Sequence, residues 1–584
     1  MSDHKQRSRQ MVETVFAVTL VLGASILQVE AEDPLLVKDI NPFGSSAPFE
    51  LRSVNGTLFF SANDGISGHE LWRSNGTSAG TVLVKDINPG SAGSTPRTIT
   101  ALNSTLLFSA KSGALGFELW KSDGTEAGTV LVKDINPGPA DSTPSELTIV
   151  NGTVFFQASS NGIGTELWKT DGTAAGTVLV KDVNPGAASS MPIELTDVNG
   201  TLFFKADDRL PTFNHRELWK SDGTAAGTVR VKNIHPGPPG SHPLSLTNLG
   251  GTLYFSADDG IHGDELWKSD GTEAGTVMIK DINPGLGSGA TNFYPTIMNG
   301  TLFFRADDGT TGPALWKSDG TAAGTVLVKD LDPSAYSPPI WLTNVDGTVF
   351  FAFYDDLWKS DGTTEGTVLL KALDTNYPMS LEYLTDVNGT LFFTANDGIH
   401  GQEVWMSDGT EAGTVLAADV NPGDAFSFSW PANLTAVDGM LMFQAENDSH
   451  GRELWAVAPT APGAVPDGRA GPDGQGVTGT PFTIGKGPGG DITLTWDDSS
   501  CATGTADYAI YEGVLGSFAS HASMLCSTGG ATAWQITPDS EDRYYLVVPV
   551  IQTMEGSYGH GSDGSEREQG APACGEQVLQ AGCF

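Results

Sequence analysis

The residues in this sequence best suited to chemistry are acidic side chains set beside glycine in recurring loops. Asn63-Asp64-Gly65, Asp258-Asp259-Gly260, Asp307-Asp308-Gly309 and Asn396-Asp397-Gly398 each bring hard oxygen donors next to a flexible residue, which suits the irregular shell of calcium. Asp64, Asp259, Asp308 and Asp397 are therefore candidate calcium ligands, and calcium is the one cofactor the sequence raises. Each loop is short of carboxylates for a full shell and none matches an EF-hand, so the competing reading is a structural turn. His262, His400 and His450 share one loop position, each before a glycine, and His69 lies three residues further along its own loop. They are expected to pack loops. Acidic pairs suited to glycoside hydrolysis are plentiful, but none stands out from its equivalents along the chain. No nucleophile elbow, Walker loop, HExxH or glycine-rich dinucleotide turn occurs, so no catalytic residue is assigned.

These loops recur because the chain is a repeat. Trp72, Trp120, Trp168, Trp219, Trp267, Trp316, Trp358, Trp405 and Trp455 each follow Leu or Val, at steps of 48, 48, 51, 48, 49, 42, 47 and 50 residues. The fullest cassette runs Glu118 to Gly138, ELWKSDGTEAGTVLVKDINPG. A period near 48 with strand-like patterning falls in the range of propeller blades and solenoid coils. In the third unit Glu146–Val150 is β-rich, and Asn151-Gly152 supplies the two positive-φ residues of a type I′ hairpin turn. Strands are then predicted over Thr153–Ala158, Glu166–Thr170 and Thr177–Val183, separated by a glycine-bearing loop and an Asp171-Gly172-Thr173 turn. Short hairpins within units and longer links between them describe four-stranded blades.

The ends of the array predict its topology. The ninth unit stops after Glu453–Val457 with no outer strand, while the chain starts with an orphan outer strand, Leu35–Ile40. An orphan strand that completes the last blade removes two exposed edges, whereas an open solenoid would need polar caps. The expected fold is therefore all-β: a closed propeller of nine four-stranded blades over residues 32–459, with eight as the alternative. The seventh unit is the candidate irregular one, since Phe353-Tyr354-Asp355-Asp356-Leu357-Trp358 lacks the glycine loop. The cassette tryptophans and the Phe-Phe pairs of the second strands are expected to pack between blades, with sugar stacking as the second reading.

The ELW, two residues, DGT cassette resembles the ELWxxDGT repeat family of secreted bacterial proteins, in nine copies from residue 35 to 456. Departures are Asn75 for the Asp, Ala314-Leu315 and Asp356-Leu357 for Glu-Leu, Val404 for Leu, and the missing DGT after Trp455. The resemblance implies export but carries no defined activity. The Ser-Asp-Gly-Thr turns resemble the Asp-box hairpins of sialidase-type propellers, which implies a structural role for the Asp.

The remaining features bound the function. With 31 Lys and Arg against 70 Asp and Glu, the formal charge of −39 argues against nucleic acid or an anionic membrane surface as partner. Lys5, Arg7 and Arg9 precede an apolar run from Val15 to Leu27, and Val29-Glu30-Ala31 offers a cleavage site, so residues 1–31 read as a signal peptide. No further stretch is long enough to span a bilayer, and a secreted or cell-surface monomer is expected. Cys501, Cys526, Cys574 and Cys583 read as two disulfides in an exported chain, with the pairing open among three arrangements. Residues 460–481 form a Pro/Gly-rich linker, and 482–584 carry strands that resemble those of a fibronectin type III β-sandwich. The expected function is a non-enzymatic scaffold that binds extracellular protein or glycan; the alternative is a secreted hydrolase of polysaccharide or glycoconjugate. An enzyme would show one polar cluster unique to a blade at the channel mouth, and a scaffold would show pseudo-symmetric loops.

Overall fold

The structure is a computed structural model. It describes residues 34–457 except 209–214, 292, 332–337, 374–380 and 424–426; beyond 457 it describes only the backbone of the strands. The signal segment, the linker and all four cysteines lie outside the described residues.

Strand-rich units separated by tight turns fold into nine four-stranded antiparallel sheets, and no helix occurs among the described residues. Blade three shows how the local sequence does this. Ser145–Val150 pairs with Thr153–Ser160, which pairs with Gly164–Thr170, which pairs with Val178–Lys181. Asn151 and Gly152 between the first two strands have φ of 49° and 74°, as a type I′ turn demands. Inner strands of successive blades lie side by side at every junction but that of blades five and six, and blades one and nine adjoin in the same way.

Blades are joined by apolar seams. Phe60 and Trp72 of blade one share a buried cluster with Met442 and Leu454 of blade nine, and Phe156 and Trp168 of blade three share one with Leu107 and Leu119 of blade two. Trp72, Trp120, Trp168, Trp219, Trp267, Trp316, Trp405 and Trp455 are buried at 5–8% exposure, so they pack between blades and leave no face free for a sugar.

The amino-terminal strand Leu35–Lys38 supplies the fourth strand of the ninth sheet, with Leu35 opposite Ala456, Leu36 opposite Trp455 and Lys38 opposite Leu454. Blade count is nine, and the seventh unit is a regular member. There Phe353 pairs directly with Asp356 across a tight turn in which Tyr354 takes φ of 55°, so the missing glycine loop shortens the hairpin without removing a strand.

Beyond the propeller, Thr483–Lys486, Ile492–Thr495 and Ala533–Ile536 form a three-stranded antiparallel sheet. A second sheet has the order Ala522–Leu525, Asp507–Val514, Arg543–Ile551, Met554–Glu555 and Glu576–Gln577, its last pair parallel.

Candidate binding surface on the channel wall

Asp64, Asp259, Asp308 and Asp397 lie in four different blades, and the structure does not bring them together. Each closes its own loop instead. Asp64 Oδ1 accepts from the amides of Ile66 (2.9 Å) and Ser67 (2.6 Å). Asp259 Oδ1 accepts from the amides of Ile261 and His262, both at 2.9 Å, and its Oδ2 meets His262 Nδ1 at 2.8 Å. Asp397 repeats this with Ile399 and His400, and Asp308 accepts from the amides and hydroxyls of Thr310 and Thr311. Among the described residues no group of three or more His, Cys, Asp or Glu is arranged to hold a metal. His262 and His400 pack on their loop carboxylates, His450 Nδ1 lies 3.2 Å from Asn447 Oδ1, and His69 meets the Phe49 ring edge-on at 5.2 Å.

The Ser-Asp-Gly-Thr turns are likewise structural. Asp270 Oδ1 accepts from both the amide (2.8 Å) and the hydroxyl (2.7 Å) of Thr272, and these donors, hydroxyl first, hold its carboxyl below the usual range. Ser269 and Thr276 hydroxyls meet at 2.7 Å beneath the turn.

A second repeated carboxylate has a role that sequence reasoning missed. Glu70 of the first ELW is fully buried and accepts from the amides of Ile87 (2.9 Å), Asn88 (3.1 Å) and Ser94 (2.7 Å), and from the Ser94 hydroxyl (2.5 Å). It thus clasps the end of its own outer strand to the segment that begins the next blade. Glu118, Glu166, Glu217, Glu265 and Glu403 act in the same way, and Glu453 clasps Ile40 and Ser46 at the start of the chain. Burial pushes Glu166 and Glu265 up to about 7 and Glu403 up to about 8, although the surrounding donors pull the other way.

Against this uniform frame one strand varies. Eight of the nine inner strands carry a bulge at the same place, and their second residue takes a left-handed φ: Glu50 (56°), Thr98 (52°), Glu146 (59°), Glu194 (60°), Ser245 (53°), Trp341 (58°), Tyr383 (57°) and Asn433 (57°). Glycine adopts such a φ freely, whereas a β-branched or bulky residue there is strained. None of the eight is glycine. These strands border the axial channel, where a cavity of 570 Å³ is lined by Glu50 to Ser53 and Asn433 to Ala436.

The wall has an acidic and an aromatic arc. Glu50 Oε2 accepts from the Thr98 amide (3.0 Å), Glu146 Oε2 from the Glu194 amide (3.0 Å) and Glu194 Oε2 from the Leu246 amide (3.3 Å), tying each inner strand to the next. On the other side the rings of Trp341 and Tyr383 lie 5.4 Å apart, with Trp341 40% exposed. A second left-handed residue precedes the proline that leads into several inner strands, among them Met191, His242 and Trp430. Trp430 is 51% exposed and stacks on Phe428 at 4.9 Å.

No protein-family model and no curated protein matches this sequence. Solved structures do. A puromycin hydrolase is similar over 61% of this chain and 60% of its own, at 14% identity and a TM-score of 0.33. Prolyl oligopeptidase B from Galerina marginata is similar over 70% of this chain and 56% of its own, at 12% identity and a TM-score of 0.37. The β-propeller domain of the Trilobed protease from Pyrococcus furiosus, described as having an open velcro topology, is covered over 96% of its length and covers 55% of this chain, at 9% identity and a TM-score of 0.29. The chain spans little more than half the length of the two whole enzymes. At these identities and scores the likeness bears on neither activity nor substrate.

Proposed function

We propose that this chain is an exported, non-enzymatic β-propeller that binds an extracellular protein or glycan on its channel wall. One observation carries the reading. Seven of the nine blades keep the glutamate clasp and eight the Gly-Thr turn, yet the left-handed position of eight inner strands bears acids, hydroxyls, an amide and two aromatics where glycine would relieve strain. Backbone strain retained with a side chain in place marks a position selected for what that side chain does. Exposed Trp341, with Tyr383 beside it, offers the flat apolar face that stacks on a sugar or an aromatic peptide side chain. In this proposal the amino-terminal strand closes the ring on blade nine, and the two carboxy-terminal sheets pack as a fibronectin-like sandwich that carries the propeller.

Replacing Trp341 with Gly tests the reading, because it removes the side chain and the strain together. Binding found on an array of glycans and extracellular proteins is expected to fall at least tenfold while the melting temperature stays the same or rises. Unchanged binding sinks the channel-wall assignment. The hydrolase alternative would rest on the Glu146, Glu194 and Lys205 neighbourhood, where both carboxylates act on the buried ammonium. Turnover of an array ligand by the wild-type chain, lost in Glu146→Gln, would establish it.

A further inference from the structure

We infer that Arg52, where blades nine and one meet on the channel wall, is the fork that takes the carboxy-terminal carboxylate of a bound polypeptide. This rests on the channel-wall reading and names its ligand class. One register position of the inner strand carries the argument. It holds threonine in eight blades, from Thr100 opposite Leu107 in blade two to Thr435 opposite Met442 in blade nine, and arginine in blade one alone, where Arg52 stands opposite Phe59. Several of these threonines tie blades together. The hydroxyls of Thr100, Thr148, Thr196 and Thr343 donate at 3.1 to 3.3 Å to the carbonyl just before the next blade's threonine, that of Leu147, Leu195, Leu246 and Leu384. Arg52 makes the equivalent tie with Nε alone, which donates to the Ile99 carbonyl at 3.2 Å. The seam needs one donor, so Nη1 and Nη2 are surplus to it.

That surplus faces a cavity. Arg52 is exposed and lines the 570 Å³ space that it shares with Glu50, Ser53, Asn433 and Thr435, a volume in the range of ligand pockets. Among the described residues its two Nη groups have no hydrogen-bond or ion-pair partner. Glu50 lies in the same cavity without pairing with it, one carboxylate oxygen already accepting from the Thr98 amide at 3.0 Å. A guanidinium held through Nε still presents parallel N–H bonds from Nη1 and Nη2, the geometry that matches a carboxylate. The surrounding charge sets how many carboxylates the ligand carries. With Glu50 alongside and a net charge of −39, a polyanion such as a polyuronate is repelled along most of its length, whereas the end of a polypeptide brings a single carboxylate. The last peptide N–H of that chain is a donor for Glu50. Inner strands of blades seven, eight, nine and one lie side by side, so Trp341 and Tyr383 continue the same wall and offer apolar faces to the residues before the terminus.

The test uses the full chain and random-sequence hexapeptides immobilised through the amino terminus, each presented with a free or an amidated carboxy terminus. The tightest binders are then titrated by calorimetry beside oligogalacturonate and acetate. Free-acid peptides are expected to bind at least tenfold more tightly than their amides. Arg52→Thr, which installs the residue of the other eight blades and keeps a donor for Ile99, is expected to erase that preference without lowering the melting temperature, and Arg52→Lys to keep part of it. Equal binding of acids and amides, no binder among the free acids, or a preference unchanged in Arg52→Thr overturns the inference. Oligogalacturonate binding more tightly than any peptide with the same dependence on Arg52, or acetate binding as tightly as the peptides, overturns the polypeptide assignment. If Trp341→Gly weakens acids and amides alike while Arg52→Thr changes nothing, the channel-wall reading stands and the carboxylate fork falls.

Discussion

A glutamate that accepts from three amides and a hydroxyl in a sealed site is under two opposing pressures, and pH reveals which prevails. For Glu403, burial is the larger, the Asp419 charge adds to it, and the Ser429 hydroxyl and the Val420 and Ser429 amides oppose it; the balance puts its carboxyl at about 8 against an ordinary 4.5. With the folded value above the unfolded one, the folded chain holds more protons between those limits. The stability due to this group is complete below about pH 4.5 and is lost as pH rises through about 8. Glu166 and Glu265 add losses of the same sign up to about pH 7. The turn aspartates Asp171 and Asp361, held low chiefly by their threonine hydroxyls, have the opposite sign and lose their contribution as pH falls below the usual carboxylate value of 3.8. The melting temperature is therefore expected to peak near about pH 4 to 5 and to decline toward pH 8, and Glu403→Gln to flatten part of that decline. A curve that rises from pH 5 to 8 would show that the donors keep these glutamates ionised. The glutamate itself was visible as a repeated letter, but its role was not, because its serine partner lies 24 residues on, in a linker whose sequence drifts from copy to copy.

Strands and their turns were the legible elements. Asn-Gly and Asp-Gly-Thr fix backbone φ through local chemistry alone, so hairpin positions follow from neighbouring residues. Blade seven misled for the same reason: losing a glycine loop looked like losing regularity, whereas Tyr354 takes the left-handed turn itself. The left-handed bulge of the inner strands was invisible, since no glycine or asparagine rule marks Thr98 or Trp341 and the Thr98 amide is held by Glu50 of the blade before it. Pairing of the first strand with the last blade was legible from the mismatch at the two ends, and it makes an element-scale prediction. Val37 and Ile40 are 2% and 4% exposed, and Ile40 donates to Glu453 at 2.9 Å. Burying an aliphatic side chain contributes about 1.5–3 kcal/mol, so deleting 35–40 removes several kcal/mol and bares the Gly451–Val457 edge. Thermal melting of that variant is expected to fall sharply or to end in aggregation. Unchanged melting would mean that blade nine is sufficient with three strands.

At the scale of the whole molecule, the excess of 70 acidic over 31 basic residues is not spread evenly. Many lysines are spent as ties between blades, and three sets of acids stand out beside the wall glutamates. Turn and loop aspartates are satisfied by their own amides, ELW glutamates by their clasps, but Asp39, Asp86, Asp134, Asp182, Asp281, Asp330 and Asp419 each keep a buried Oδ1 without a partner among the described residues. In blade eight Asp419 is pushed up by burial and then by Asp397, with His400 opposing. Self-repulsion concentrated in this way should yield to screening, so added salt is expected to raise the melting temperature. Calcium and magnesium separate screening from binding. Because Asp64, Asp259, Asp308 and Asp397 already accept from their own loops, the two ions are expected to give equal shifts at equal ionic strength. Calcium tolerates irregular oxygen shells that magnesium does not, and a ligand of the folded state alone raises its stability by mass action. A clearly larger shift with calcium would therefore overturn the screening account and direct attention to the unpartnered oxygens of the outer strands, with Asp419→Asn as the variant that should abolish blade eight's share of it.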